Sequence, residues 1–181
     1  MTRQQALKLV QEKVTTKNLV KHMLAVEAGM RALAPRFNGN PDRWALAGLI
    51  HDLDYEQTKD RPDRHGHVTV DFLKAQGFGD PEIMNAILAH AGHKTPETPM
   101  EWALTAVDPL TGLIVAASLV HPQRLAGLTP ENVLNRYKEK GFARSASREG
   151  IALCSNLGLS LEEFVEVVLS AMKGVRQDLG L

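Results

Sequence analysis

The 181 residues are enough for one domain with a substantial core, and 44% hydrophobic against 23% charged residues is an ordinary soluble composition. Lysine plus arginine and aspartate plus glutamate balance at 21 each, which argues against a broad nucleic-acid-binding surface or a polybasic membrane anchor. The single cysteine, Cys154, cannot close an intramolecular disulfide, no apolar run reaches the length of a membrane span, and the N-terminus leads into an amphipathic segment instead of a signal peptide, so a cytoplasmic protein is expected.

Nearly every segment reads as helix. Thr2 and Gln5 have capping-box spacing ahead of Ala6, Leu7, Leu9 and Val10. Thr16 caps a second helix in which Leu19, Val20, Met23, Leu24, Val26 and Met30 recur at helical intervals until Pro35. Asp42 caps a third, running from Arg43 to about Leu53. Residues 54–64 are polar, contain Pro62 and read as a loop. A helix from about His65 to Gln76 stops at Gly77, and Asp80-Pro81 starts the next, through Ile83, Met84, Ile87 and Leu88 to His90. Thr98-Pro99-Met100-Glu101 has the full capping-box pattern, after which Pro109 predicts a kink or a new start at Asp108. Three more helices begin near Thr129-Pro130, near Ser145 and at Ser160. No alternating strand pattern, internal repeat or low-complexity linker appears, so the expected architecture is one all-α bundle over 1–181 with roughly eight to ten helices.

The chemistry concentrates at His51-Asp52, which closes the apolar run Trp44 to Ile50. Both side chains are costly beside buried surface unless something satisfies them. A metal ion satisfies both, and His22 and Asp108, each in an apolar run, fit the same ion. Neighbouring helical residues point about 100° apart, so His51 and Asp52 flank one edge and can reach a common ion. The two oxygens of Asp52 could bridge two ions. A lone histidine on an apolar face is usually a satisfied core residue; the ordered set of four is what points to metal.

That order, His, His-Asp, Asp, resembles the signature of the HD-domain metal-dependent phosphohydrolases. The resemblance covers roughly residues 18–118 and leaves about 123–181 as a helical C-terminal extension. It implies that His22, His51, Asp52 and Asp108 hold one divalent transition metal ion. A subset of the family adds histidines that hold a second ion, bridged by the aspartate of the pair. Here His65, opening His65-Gly66-His67-Val68-Thr69-Val70-Asp71-Phe72-Leu73, and His90, ending its helix, match that subset, with His67 and His93 as competitors. One or two ions of iron, manganese, nickel, cobalt or zinc are therefore expected.

The implied activity is hydrolysis of a phosphate ester or anhydride in a small phosphorylated molecule, a nucleotide above all, by activated water, with Asp52 accepting a proton or positioning the nucleophile. Many relatives read His-Asp-Ile-Gly, some with lysine next; here the text is His51-Asp52-Leu53-Asp54-Tyr55-Glu56. That lysine and the Gly-Tyr-Pro segment of the cyclic-dinucleotide phosphodiesterases are absent, so cleavage of cyclic di-GMP is not expected. Asp54 and Glu56 become candidates for proton transfer, although Asp54 could equally cap the following turn. Lys94, beside His93, is a candidate phosphate ligand. Arg144 and Arg148, with Lys138 and Lys140 around Gly141-Phe142-Ala143, form either an exposed basic loop or a phosphate grip. Two rival readings share these residues: a di-iron oxygenase, and a non-catalytic HD fold that senses a nucleotide.

Overall fold

Helix starts follow from side chains that satisfy the first free N–H groups. Thr2, Thr129 and Ser160 each form a complete capping box, with Gln5, Asn132 and Glu163 as reciprocal partners. The computed structural model describes residues 1–181, and every regular element in it is helical. In chain order these are α1 (Arg3–Lys13), α2 (Lys17–Leu33), a 3-10 turn (Ala34–Phe37), α3 (Pro41–Ile50), α4 (Tyr55–Thr58), α5 (His67–Ala75) and α6 (Pro81–His90). There follow α7 (Pro99–Val120), α8 (Arg124–Gly127), α9 (Pro130–Lys138), α10 (Arg148–Ala152), a second 3-10 turn (Leu153–Leu157), α11 (Leu161–Gly174) and α12 (Arg176–Leu179). The bundle is all-α as expected; the four-residue segments α4, α8 and α12 carry the tally past the expected range.

Several boundaries differ from the sequence reading. Asn40, not Asp42, caps α3: its side chain accepts from the N–H groups of Asp42 and Arg43, and Pro41 takes the first helical position. The helix ends at Ile50, so His51 and Asp52 stand in the turn just beyond it. Residues 54–64 are not all loop, because 55–58 close one helical turn. Thr16 makes no side-chain cap for α2; the carboxylate of Glu56 takes the N–H groups of Thr15 and Thr16 instead. At α7 the capping box is half formed: Thr98 accepts from the N–H of Glu101, but the Glu101 carboxylate turns to the N–H of Glu97 and to Lys94.

The axis of the bundle is α7. Its 22 residues run unbroken past Pro109, which removes one N–H from the helical ladder without ending the helix. With a mean hydropathy of 1.8 this helix is long and apolar enough to cross a membrane by composition, contrary to the sequence reading. More than half of it is buried inside the bundle, where it packs against α2, α6, α9, α10 and α11. Leu104, Leu110 and Ile114 are fully buried there, at about 1.5–3 kcal/mol of transfer free energy each. Trp44, stacked on Phe37, and Cys154 are core residues, as expected.

Candidate metal centre

The most extensive helix–helix contact in the fold positions the site. Helices α2 and α3 pack closely because residue 48 is glycine: a β-carbon there would stand 2.8 Å from the carbonyl oxygen of Val26. That approach sets His22, near the start of α2, beside His51, at the end of α3, with ring centroids 5.3 Å apart. Gly66 does the same for the other side. Its φ of +76° suits glycine, and it turns the chain so that His65 points inward while His67 is left exposed. The end of α6 contributes His90, and the middle of α7 contributes Asp108.

Asp52 stands at the centre, 6% exposed, with its two oxygens facing different partners. Its Oδ2 lies 3.4 Å from His51 Nε2 and 3.8 Å from His22 Nε2. Asp108 Oδ1 closes that group, 3.0 Å from His22 Nε2 and 4.0 Å from His51 Nε2. On the other side, Asp52 Oδ1 lies 3.4 Å from His65 Nε2 and 3.5 Å from His90 Nε2. The donor atoms of His22, His51 and Asp108 fall within 4.8 Å of one another, and so do those of His51, Asp52 and His90. Those two groups share His51, and Asp52 joins the two sides of the centre by turning one oxygen to His22 and His51 and the other to His65 and His90.

All four imidazoles are oriented from behind. The Nδ1–H of His51 donates to the Gly48 carbonyl at 2.8 Å, and that of His90 donates to the Ile87 carbonyl. Carbonyls only accept, so in both rings the proton sits on Nδ1. His65 Nδ1 donates to Asp54 Oδ1 at 2.9 Å. His22 Nδ1 lies 3.2 Å from the Thr111 hydroxyl, whose own hydrogen is given to the Asp108 carbonyl. Each ring thus presents Nε2 to the centre. The Nε2 atoms of His51 and His90 are buried without a hydrogen-bond partner, which is costly unless a ligand occupies the space between them. Four nitrogens and two carboxylates suit a first-row transition metal.

The electrostatics fit the same use. Burial alone would depress the His51 pKa, but the charges of Asp52 and Asp108 outweigh it and push it up to about 9 without metal. Burial would raise Asp52 and Asp108. The imidazole of His51 holds Asp52 well below the usual carboxylate range, and His22 lowers Asp108. Both carboxylates stay ionised.

Other expected site residues are placed differently. Asp54, a candidate for proton transfer, is 2% exposed and lies behind His65: its second oxygen accepts the Thr69 N–H at 2.9 Å, and its own N–H donates to Thr69 Oγ1. It orients the His65 ring and does not line the cleft. Glu56 is likewise committed, to Thr15 and Thr16. The Lys94 ammonium is held by Glu97 and Glu101 at 2.9 and 2.8 Å, which neutralises the expected phosphate ligand. Arg148 spends its guanidinium on the carbonyls of Arg136, Tyr137, Glu139, Phe142, Ala143 and Ala146, so it staples the 139–147 loop and has no N–H left for phosphate. Arg144 is exposed, next to Ser145 and Ala146 on the rim of the cleft. His67 and His93 pair with each other at the surface, 4.2 Å between centroids, and leave the centre to His65 and His90. The cleft above the donors, about 430 Å3, is also lined by Asn18, Leu19, Tyr55 and Gly112. Thr111, Thr69 and Tyr55 had no distinguishing signal in the sequence.

Comparison with known proteins gives the family. A family model described as HD domain matches residues 19–123. The chain is similar to the ribonuclease Y of Desulforudis audaxviator, 30% identical over 139 residues that make up 73% of this chain and 26% of that protein. It is similar to the ribonuclease Y of Thermotoga petrophila, 30% identical over 137 residues, 73% of this chain and 27% of that protein. With the ribonuclease Y of a Sulfurovum species it shares 30% identity over 94 residues, 52% of this chain and 18% of that protein. The chain thus spans between 18% and 27% of the length of these relatives.

Proposed function

The chain belongs to the HD-domain family, and from that premise we propose that it is a phosphohydrolase using two divalent metal ions on a small phosphorylated substrate, a nucleotide or short oligonucleotide. At the level of the superfamily, metal-dependent phosphohydrolase chemistry is what the family match and the ribonuclease relatives support. The observation that carries the two-ion reading is the set of four imidazoles, each with Nδ1 engaged from behind and Nε2 turned toward a shared Asp52.

His22, His51, Asp52 and Asp108 would hold one ion, and Asp52, His65 and His90 the second. When bound, such ions polarise a phosphoryl oxygen and neutralise its developing charge. The chain's own groups do the rest. Asp52, kept ionised by His51 and His90, is a weak proton acceptor; it orients the attacking water by accepting its hydrogen bond. Asp54 and Thr111 fix the His65 and His22 rings. Tyr55, 47% exposed and edge-on to His65, offers a face at the mouth for a nucleobase. Arg144, exposed beside the rim, is placed to meet phosphate there. A cytoplasmic setting, in which Cys154 stays reduced, belongs to the same proposal.

Hydrolysis of bis(p-nitrophenyl) phosphate and of a nucleotide panel tests the reading. Turnover that chelator abolishes, that manganese or ferrous iron restores and that Asp52→Ala lacks supports it. Oxygen uptake by the ferrous protein with no phosphate release would replace it with the oxygenase reading.

A further inference from the structure

A hollow beside the cleft is lined by a cation, Lys21, that the sequence did not single out. Above the donor set the cleft is lined by Asn18, His22 and Gly112, and the same three residues line the adjoining hollow of about 320 Å3. The far walls of that hollow include Val115 and Leu119, and Lys21 is the one lysine or arginine lining either space. The ion-paired lysines of the protein are Lys8 and Lys94; Lys21 has no acidic partner and is partly buried. Its ammonium lies 2.7 Å from where a β-carbon at position 180 would stand, so glycine at 180 leaves the head group its place. An ammonium that faces this hollow with no acidic side chain in ion-pairing reach is free to make a charge-assisted contact with an anionic group on a ligand.

We propose that Lys21 is a specificity-determining residue, holding a second anionic group of the substrate while the scissile phosphoryl lies at the His22, His51, Asp52 and Asp108 donors. This rests on the phosphohydrolase reading and narrows its substrate class. The substrate carries a further phosphate or carboxylate beyond the scissile bond, and the segment joining the two lies along Val115 and Leu119. Lys21 thereby takes the part that Lys94 and Arg148 cannot.

Binding, not turnover, tests this. Manganese-loaded protein is titrated calorimetrically with methylphosphonate and with alkane diphosphonates of two-, three- and four-carbon bridges, as wild type, Lys21→Ala and Lys21→Arg, with manganese content measured for each. The best diphosphonate should bind wild type roughly tenfold or more tightly than methylphosphonate, from one charge-assisted contact. That gain should fall below about twofold in Lys21→Ala and persist in Lys21→Arg. An equal gain in wild type and Lys21→Ala at equal manganese content, or no gain in wild type for any bridge, overturns the assignment. A wild type that retains no manganese overturns the metal reading beneath it.

Discussion

Asp54→Asn is the change that probes the centre without touching it. The Asp54 carboxylate accepts two hydrogen bonds at 2.9 Å, one from His65 Nδ1 and one from the Thr69 N–H. A carboxylate accepts through both oxygens, whereas a carboxamide of the same shape accepts through one end and donates through the other. One of the two donors must then face an NH2 group. If the carboxamide oxygen kept Thr69, His65 would move its proton to Nε2 and lose the lone pair aimed past Asp52. If it kept His65, the buried Thr69 N–H would go unsatisfied at about 1–3 kcal/mol. Losing a partner behind a metal-binding histidine costs about tenfold to a hundredfold in affinity, or about 1–3 kcal/mol. Metal titration should therefore show one of two equivalents weakened by that factor while the other keeps its affinity. Nitrogen NMR of the His65 ring should show a shifted tautomer. Wild-type affinity for both equivalents, with Nδ1 of His65 still protonated, would refute the reasoning.

The His51 pKa of about 9 gives two pH dependences of opposite sign. Metal must displace that proton, so apparent affinity should rise about tenfold per pH unit up to about 9 and then level, with proton release measurable in weakly buffered solution. In metal-free protein the raised pKa contributes stability that is fully present below the unfolded value near 6.5 and lost as pH passes 9, so apo stability should fall over that window in thermal melts. Glu56 behaves in the reverse sense: hydrogen bonds from Thr16 and Thr15 hold it down to about 2, so its contribution is present above 4.5 and lost as pH falls toward 2. The melting difference between wild type and Glu56→Gln should be largest at neutral pH and vanish near pH 2. Arg148→Ala should destabilise by about 3 kcal/mol in denaturant unfolding, and Arg148→Lys should not restore it, because an ammonium cannot replace a fork that spans six carbonyls. Stability unchanged in Arg148→Ala would return that side chain to the phosphate-grip reading.

The donor set was legible because a His-Asp pair after an apolar run is visible in one dimension and because its order with His22, His65, His90 and Asp108 resembles the HD-domain signature. The choice of His65 over His67 came down to one residue, Gly66, whose positive φ turns one histidine in and leaves the other out. What the sequence hid was set by long-range pairing. Asp54 is three residues from His51, yet its role depends on Thr69 and His65, brought back by the loop. Lys94 and Arg148 looked like free cations because their acceptors, the Glu97 and Glu101 carboxylates for the one and a ring of backbone carbonyls for the other, are brought within reach only by the fold. Helix α7 defied its proline because tertiary burial on several sides outweighs the roughly 3 kcal/mol that a lost hydrogen bond and the ring clash cost together in a helix interior.

Metal content per chain, by elemental analysis of protein purified without chelator beside His51→Ala and His90→Ala, tests the central claim most directly. Two equivalents of a first-row transition metal in wild type, at most one in His90→Ala and a further loss in His51→Ala, is the predicted result. A single equivalent in wild type that His90→Ala leaves untouched, even after incubation with manganese or ferrous iron, would contradict it.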